Sequence, residues 1–405
     1  MRFGVVLFDD AVRKAASTKR REATEGWSSI DGAASRRIAS VNELESDVRW
    51  LTNFEFADFH QNFLGRNPNY FFSGFLRTEL KMICEEIGGG IEYISANRSA
   101  EVLSGMFSRV MNLCLSTLNI KVNVSGTATK VLPDLIAART VNKHKIPDEL
   151  NEALRHAYQT YTGCVQRFNR EWKSCTIRKP RYSHAIDVLS TPVPDEYRWL
   201  YIHGARLPAD NSARIDWCLA HDLPVLANVI VKPRRNNYAS IIAYANGSQF
   251  ERSWLCQPEL LLISQFCDVE VIGVFVCEAG FEVQKELEAF PTLGDMSLAS
   301  YSLGLVAESF WVAMASPRAT SATQKFFPPR AIWYRAMDRI AMFQEAVKFQ
   351  KEGFQVFGYG AGAVTVYYPA GSTADLVQAG AKFGLDVPVG KYYEVRTEAR
   401  LQADE

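Results

Sequence analysis

A carboxylate at position 187 and a hairpin tip at positions 361–363 are the residues on which any chemistry of this chain turns. The stretch GFQVFGYGAGAVTVYYPAG, residues 353–371, has apolar and aromatic residues on both sides of a short run of Gly and Ala. That pattern predicts strand, tight turn, strand, with glycines supplying the backbone freedom of a two- or three-residue turn. Hairpin tips of this kind often carry carboxylates in enzymes that hold metal ions. Here the tip is Ala361-Gly362-Ala363, which offers neither a metal ligand nor a proton carrier. Asp187, in HAIDVLSTP, is a candidate for one catalytic, metal-binding carboxylate; its plainer reading is an acid capping a turn. A two-metal site needs carboxylates from two segments to hold the ions and to lower a bound nucleophile's pKa. Asp187 supplies one, and Ala361 and Ala363 cannot supply the other.

Other groups have weaker claims. VKPRRNN puts Lys232, Arg234 and Arg235 on a basic turn between two strands, where they either meet phosphates through charge-assisted hydrogen bonds or lie solvated. Lys19-Arg20-Arg21 and Arg36-Arg37 allow a flexible basic arm. Trp333, Tyr334, Tyr367 and Tyr368 either stack on bases or pack the hairpin against its helix. His221 and Asp222 are adjacent, so on an extended segment they point to opposite faces and read as a surface pair. Neither Gly88-Gly89-Gly90 nor GYGAGA is followed by the lysine of a phosphate loop.

The elements that must position these residues belong to a chain of 405 residues, long enough for two or three domains. Forty-five basic residues balance forty-five acidic ones, so the chain as a whole exerts no pull on nucleic acid, and any such binding needs a local patch. The eight cysteines contain no CxxC pair, which reads as buried, reduced thiols in a cytoplasmic protein. MRFGVVLFDD is too short for a signal peptide, and no stretch reaches the length of a membrane span, so no membrane partner is expected.

MRFGVVLF predicts a buried opening strand. FFSGFLRTELKMICEEIGGG and SAEVLSGMFSRVMNLCLSTLNI predict two amphipathic helices, the second capped by Ser99. A polar, Gly- and Lys-bearing region places a domain boundary near residue 125. Beyond it, ELNEALRHAYQTYTG predicts a helix ending at Gly163. SHAIDVLS, LPVLANVIVKP, YASIIAYAN and VEVIGVFVCEA predict strands, and CQPELLLISQF a short helix. AIWYRAMDRIAMFQEAVKFQKEG predicts a long helix with Ile332, Ala336, Ile340, Phe343 and Val347 on its core face. The hairpin follows, then a helix at STADLVQAGAKFG and a strand at GKYYEVRTEARL. Strands interleaved with helices give an α/β (α+β) fold class.

The order of these pieces resembles the C-terminal half of the palm in family B DNA polymerases, especially compact phage and viral ones. That family's hairpin reads roughly Tyr-x-Asp-Thr-Asp-Ser, and Tyr359-Gly360-Ala361-Gly362-Ala363-Val364 sits in its place. The preceding RAIWYRAMDR resembles the family's arginine-bearing helix. HAIDVLSTP resembles its first palm motif, Asp-x-x-Ser-x-Tyr-Pro, through Asp187 and Ser190. AYQTYTGCVQRF resembles the glycine-rich approach to that motif, and the segment from Trp254 to Val276 the palm helix and strand after Pro-Glu. The second motif, Lys-x-x-x-Asn-Ser-x-Tyr-Gly, has no lysine counterpart in LASYSLGLVAESFWVAMAS; if Ser309 takes the motif serine, Glu308 and Trp311 replace Asn and Tyr. The N-terminal LFDDAVRKA and NPNYFFSGF lack the exonuclease carboxylates.

The resemblance implies a palm-like antiparallel sheet with packed helices over residues 125–405, a short fingers-like insertion and no thumb. It implies a reduced exonuclease-like α/β domain over residues 1–124. The function it implies is that of a catalytically degenerate polymerase-like protein, acting as a DNA-binding or scaffold subunit in phage or mobile-element replication alongside a partner protein. Lys232, Arg234, Arg235, Arg335, Arg339 and Tyr359 would then contact nucleic acid, and no cofactor is needed. Two alternatives stand beside it. One is an active nucleotidyltransferase using Mg2+, whose aspartates at 361 and 363 were replaced or come from a partner chain. The other is an interaction protein without a nucleic-acid role.

Overall fold

The computed structural model describes residues 2–8, 25–52, 70–71, 96–113, 146–164, 172–195, 198–234, 241–242, 253–294, 298–319, 325–385 and 387. The fold is mixed α/β with largely antiparallel sheets and, among the described residues, eight α-helices. Two compact units are present: residues 1–138, 288–310 and 390–405 form one, and residues 139–287 and 311–389 the other.

In the first unit, β1 (Arg2–Phe8) is the predicted opening strand. It is buried along nearly its whole length, as befits a strand covered on both faces. β2 (Gly26–Ile30), β3 (Arg36–Ile38), β4 (Val48–Thr52) and β5 (Tyr70–Phe71) complete a sheet of order β3-β2-β1-β4-β5, antiparallel on the β2 side and parallel on the β4 side. Val6 and Phe8 pack with Trp50 and Ile38 on one face. Val5 and Leu7 pack on the other against Ala100 and Leu103 of α1 (Ala96–Asn112). Ser99 is not the cap of α1: the helix starts at Ala96, and Ser99 is buried within its first turn. Arg36 and Arg37 form no loose arm, since both lie in β3, where Arg37 pairs with Glu25 at 2.9 Å and covers the Trp27 ring. The helix expected at FFSGFLRTELKMICEEIGGG, the boundary near 125 and Lys19-Arg20-Arg21 lie outside the described residues.

In the second unit α2 (Asp148–Ala157) is shorter than expected. Its chain turns extended at Tyr158, and Gly163 belongs to a strand, β6 (Thr162–Gly163). β7 (Trp172–Arg178) follows, then α3 (Arg181–Leu189), β8 (Val193–Pro194), β9 (Trp199–His203) and α4 (Asn211–Ala220). SHAIDVLS is therefore the body of α3, not a strand. Pro180 precedes the helix, and Tyr182, Ala185, Val188 and Leu189 bury one side of it at helical spacing. The eight-residue window SHAIDVLS cannot separate this stripe from a buried strand by periodicity alone.

Of the remaining elements, β10 (Val225–Pro233), α5 (Gln257–Phe266) and β12 (Cys267–Cys277) fall where the pattern puts them, and the short strands β11 (Trp254–Cys256) and β13 (Phe281–Glu282) are additional. α6 (Leu298–Met314), β14 (Arg318–Ala319), β15 (Lys325–Phe326), α7 (Pro329–Lys351), β16 (Gln355–Gly360), β17 (Ala363–Pro369) and α8 (Thr373–Lys382) follow. Two four-stranded antiparallel sheets, β11-β10-β12-β9 and β6-β16-β17-β7, share one core with α5, α7 and α8. Val225, Val271 and Val274 of the first sheet, Val356, Val364 and Val366 of the second, and Met342, Phe343 and Phe349 of α7 line it. α7 exceeds the expected single stripe. Its first half is buried almost all round, charged residues included, which is the condition of a central helix. The strand expected at GKYYEVRTEARL and most of YASIIAYAN lie outside the described residues.

Candidate functional site

The predicted hairpin is β16 and β17, closed at Gly360↔Ala363 by a turn of two residues. Both turn residues are left-handed, Ala361 at φ 52° and Gly362 at φ 70°, the conformation that fits the twist of a tight hairpin. Glycine takes it freely, whereas for alanine it costs about 1 kcal/mol. What holds the tip there is a side chain of α7. Asp338, fully buried, accepts the Ala361 amide at 2.6 Å on Oδ2 and the Gly362 amide at 2.8 Å on Oδ1. Its Oδ1 also accepts Nε2–H of His184, from α3, at 2.8 Å. A Cβ at Gly362 would stand 3.0 Å from the His184 ring, so the tip, α3 and α7 close on one another here. Three N–H donors satisfy a carboxylate that would be costly to bury alone.

The strand beside β17 is β7, and its end meets the tip: Arg178 pairs with Ala363, the Lys179 amide donates to Gly362 O at 2.9 Å, and Arg178 Nη1 reaches Ala361 O at 3.4 Å. Where a two-metal site requires a carboxylate at the end of the neighbouring strand, this chain has a guanidinium. The tip itself carries two methyl groups, and Asp338 already accepts three hydrogen bonds. These residues do not fit a divalent cation. Among the described residues, no group of three His, Cys, Asp or Glu side chains is placed to hold a metal ion.

Asp187 sits on a helix rather than on a strand. It lies on the exposed side of α3, one turn past His184, where its backbone carbonyl accepts Thr191 Oγ1 at 3.5 Å. SHAIDVLS, expected as a strand, is helical, and the strand that flanks the hairpin stops nine residues before Asp187, at Arg178.

The other candidates divide by burial. Tyr359 is buried and packs edge-on against Phe343 at 5.9 Å, so it faces the core rather than a nucleotide. Arg335 is buried, its guanidinium over the Trp311 ring at 4.9 Å and its Nε donating to Ala315 O at 3.1 Å. Arg339 is buried with Glu259, Nη2 lying 2.7 Å and Nε 3.0 Å from Oε1, and it also donates to Gln159 O. Neither arginine is available to phosphate, because helical periodicity turns positions 335 and 339 inward together. Lys232 and Arg234 are exposed at the end of β10, with Arg234 paired to Asp268 at 2.6 Å; Arg235 lies outside the described residues. Asp338, His184 and Arg178 were missed in the sequence. The available signal was Asp338 itself, an acid set among the apolar and aromatic residues of a helix whose first half is buried.

No family model and no curated protein matches the chain. Among solved structures it is similar to Phi29 DNA polymerase complexed with primer-template DNA and incoming nucleotide substrates, at 11% identity and a TM-score of 0.41. It is also similar to the post-translocation binary complex of that polymerase with primer-template DNA, at 12% identity and a TM-score of 0.43. Each alignment covers 90% of this chain and 80% of the polymerase.

Proposed function

We propose that this chain is a polymerase-like protein without nucleotidyl-transfer activity, acting as a DNA-binding or scaffold subunit in the replication of a phage or mobile element, in the cytoplasm and beside a partner protein. The observation that carries the reading is the tip. Ala361 and Ala363 offer no metal ligand, Arg178 ends the adjacent strand, and the buried Asp338 is committed to the tip's own amides. Loss of paired carboxylates removes the charge stabilisation on which phosphoryl transfer depends. What remains is an intact scaffold whose exposed cations, Lys232 among them, can meet phosphates.

One observation favours a second reading, a nucleotidyltransferase whose tip aspartates were replaced. Ala361 occupies a left-handed position, where Asp and Asn are several-fold favoured over other non-glycine residues. Primer extension by the Ala361→Asp/Ala363→Asp chain with Mg2+ separates the two. The expected result is no extension, because Arg178 still faces the tip. Extension by that double variant overturns the non-catalytic reading.

A further inference from the structure

The sheet β6-β16-β17-β7 turns Val356, Val364, Val366, Cys175 and Ile177 into the core. Alternation along the strands therefore sends Thr365, Tyr367, Ser174, Thr176 and Arg178 to the other face. The floor of that face is made of small residues. Gly358 lies beside Thr365, and Thr365 beside Thr176, their Oγ1 atoms 3.0 Å apart. Tyr161 lies across Gly358, where a Cβ would stand 2.3 Å from its hydroxyl, and that hydroxyl hydrogen-bonds Thr365. At the bulge between Val356 and Gly358 the Phe357 ring stands out, 42% exposed and edge-on to Tyr367 at 5.1 Å.

Large aromatic rings on a sheet face are ordinarily buried against a second layer. Here Tyr161 and Phe357 remain more than a third exposed. The chain bordering them carries charge of one sign: from Trp172 to Ile186 it has Lys173, Arg178, Lys179 and Arg181 and no acid. Arg178 is exposed on this face of β7, whereas Lys173, sharing the parity of Cys175 and Ile177 and paired with the buried Tyr368, belongs to the opposite side, and Lys179 leans on Glu345 at 3.6 Å. Flat exposed rings, hydroxyls and a one-signed border complement a polyanion with unpaired planar groups.

We propose that this face holds single-stranded nucleic acid, with bases stacking on Phe357 and Tyr161 and phosphates meeting Arg178. The proposal rests on the DNA-binding reading above and specifies its site and its strand state. A duplex buries its base faces in its own stack and offers nothing to these rings, so single strands are preferred.

The test is fluorescence anisotropy of the full chain with a labelled oligothymidylate and with a duplex of equal length, at two salt concentrations. The wild-type chain is expected to bind the single strand more tightly than the duplex. Phe357→Ala should weaken single-strand binding about tenfold, Phe357→Trp should restore it, and neither should change the melting temperature appreciably, since the ring is exposed. Arg178→Ala should lower the slope of log affinity against log salt by about one. Wild-type binding that Phe357→Ala and Tyr161→Ala leave unchanged overturns this site while sparing the DNA-binding reading. Preference for the duplex does the same. Self-association of the chain that Phe357→Ala abolishes also overturns it, by giving the face to a second copy. No affinity for any DNA overturns the DNA-binding reading itself.

Discussion

Gly362 donates its amide to Oδ1 of Asp338 at 2.8 Å, which ties the tip of the hairpin to a fully buried carboxylate on the helix that precedes it. A tip without functional side chains is thus still specified. Its backbone amides are the ligands, and the acid in this region serves the fold. Asp338→Ala leaves the Ala361 and Gly362 amides and His184 Nε2–H without their acceptor. Each buried orphan costs about 1–3 kcal/mol, so a loss of at least about 3 kcal/mol is expected in urea unfolding. Asp338→Asn should also destabilise, because an amide presents a donor to at least one of the tip donors. A change below about 1 kcal/mol for Asp338→Ala would show that the tip does not depend on this carboxylate.

The buried pair Arg339–Glu259 makes a separate prediction. Removing one partner strands the other charge in the core, so Arg339→Ala should cost about 3–5 kcal/mol. Replacing both by apolar residues, Arg339→Met with Glu259→Leu, should recover much of that loss. Chemical denaturation of the single and double variants checks both points, and additive single losses would contradict the coupling.

In the first unit, Glu101 of α1 accepts the Ser35 amide at 2.8 Å and the Ser35 hydroxyl at 2.9 Å on Oε1, with Arg98 at 3.1 Å on Oε2. Burial pushes its pKa up, but the Ser35 hydrogen bonds and Arg98 outweigh this and hold it below the usual carboxylate range. A carboxyl depressed in the folded state contributes stability that is present above its unfolded pKa and lost as pH falls through the folded one. Acid titration of unfolding should therefore show a falling limb below the ordinary carboxylate range that Glu101→Gln flattens. An unchanged limb in the variant would place the loss elsewhere.

Burial pushes the thiols of Cys164 and Cys218 up to about 12 and those of Cys175 and Cys267 up to about 11. Thiolate is the reactive form, so these four should resist a thiol reagent at mildly alkaline pH in the native chain and react together on unfolding. The measurement is reagent uptake in a chain carrying Cys84→Ala and Cys114→Ala. Rapid native labelling of any of the four would contradict their burial.

Much of this protein is written locally. The β1 run, the Pro-Glu start of α5, the long α7 and the Gly/Ala turn between β16 and β17 all follow from residue periodicity and turn chemistry, which act over a few neighbours. The blankness of the tip was equally legible, because Ala361 and Ala363 cannot bind metal in any fold. SHAIDVLS shows where local signals stop: a short stretch with interspersed apolar residues suits a half-buried strand or a helix stripe, and packing on α7 accompanies its folding as α3. That one choice puts Asp187 on the exposed side of a helix, while the pairing of β7 with β17 brings Arg178 to the tip. The roles of Asp338, Arg335 and Arg339 were likewise decided by tertiary structure. A charged residue on a helix is read as exposed until one knows that the helix runs through the core, where each charge must find a partner within a few ångströms or not be there at all.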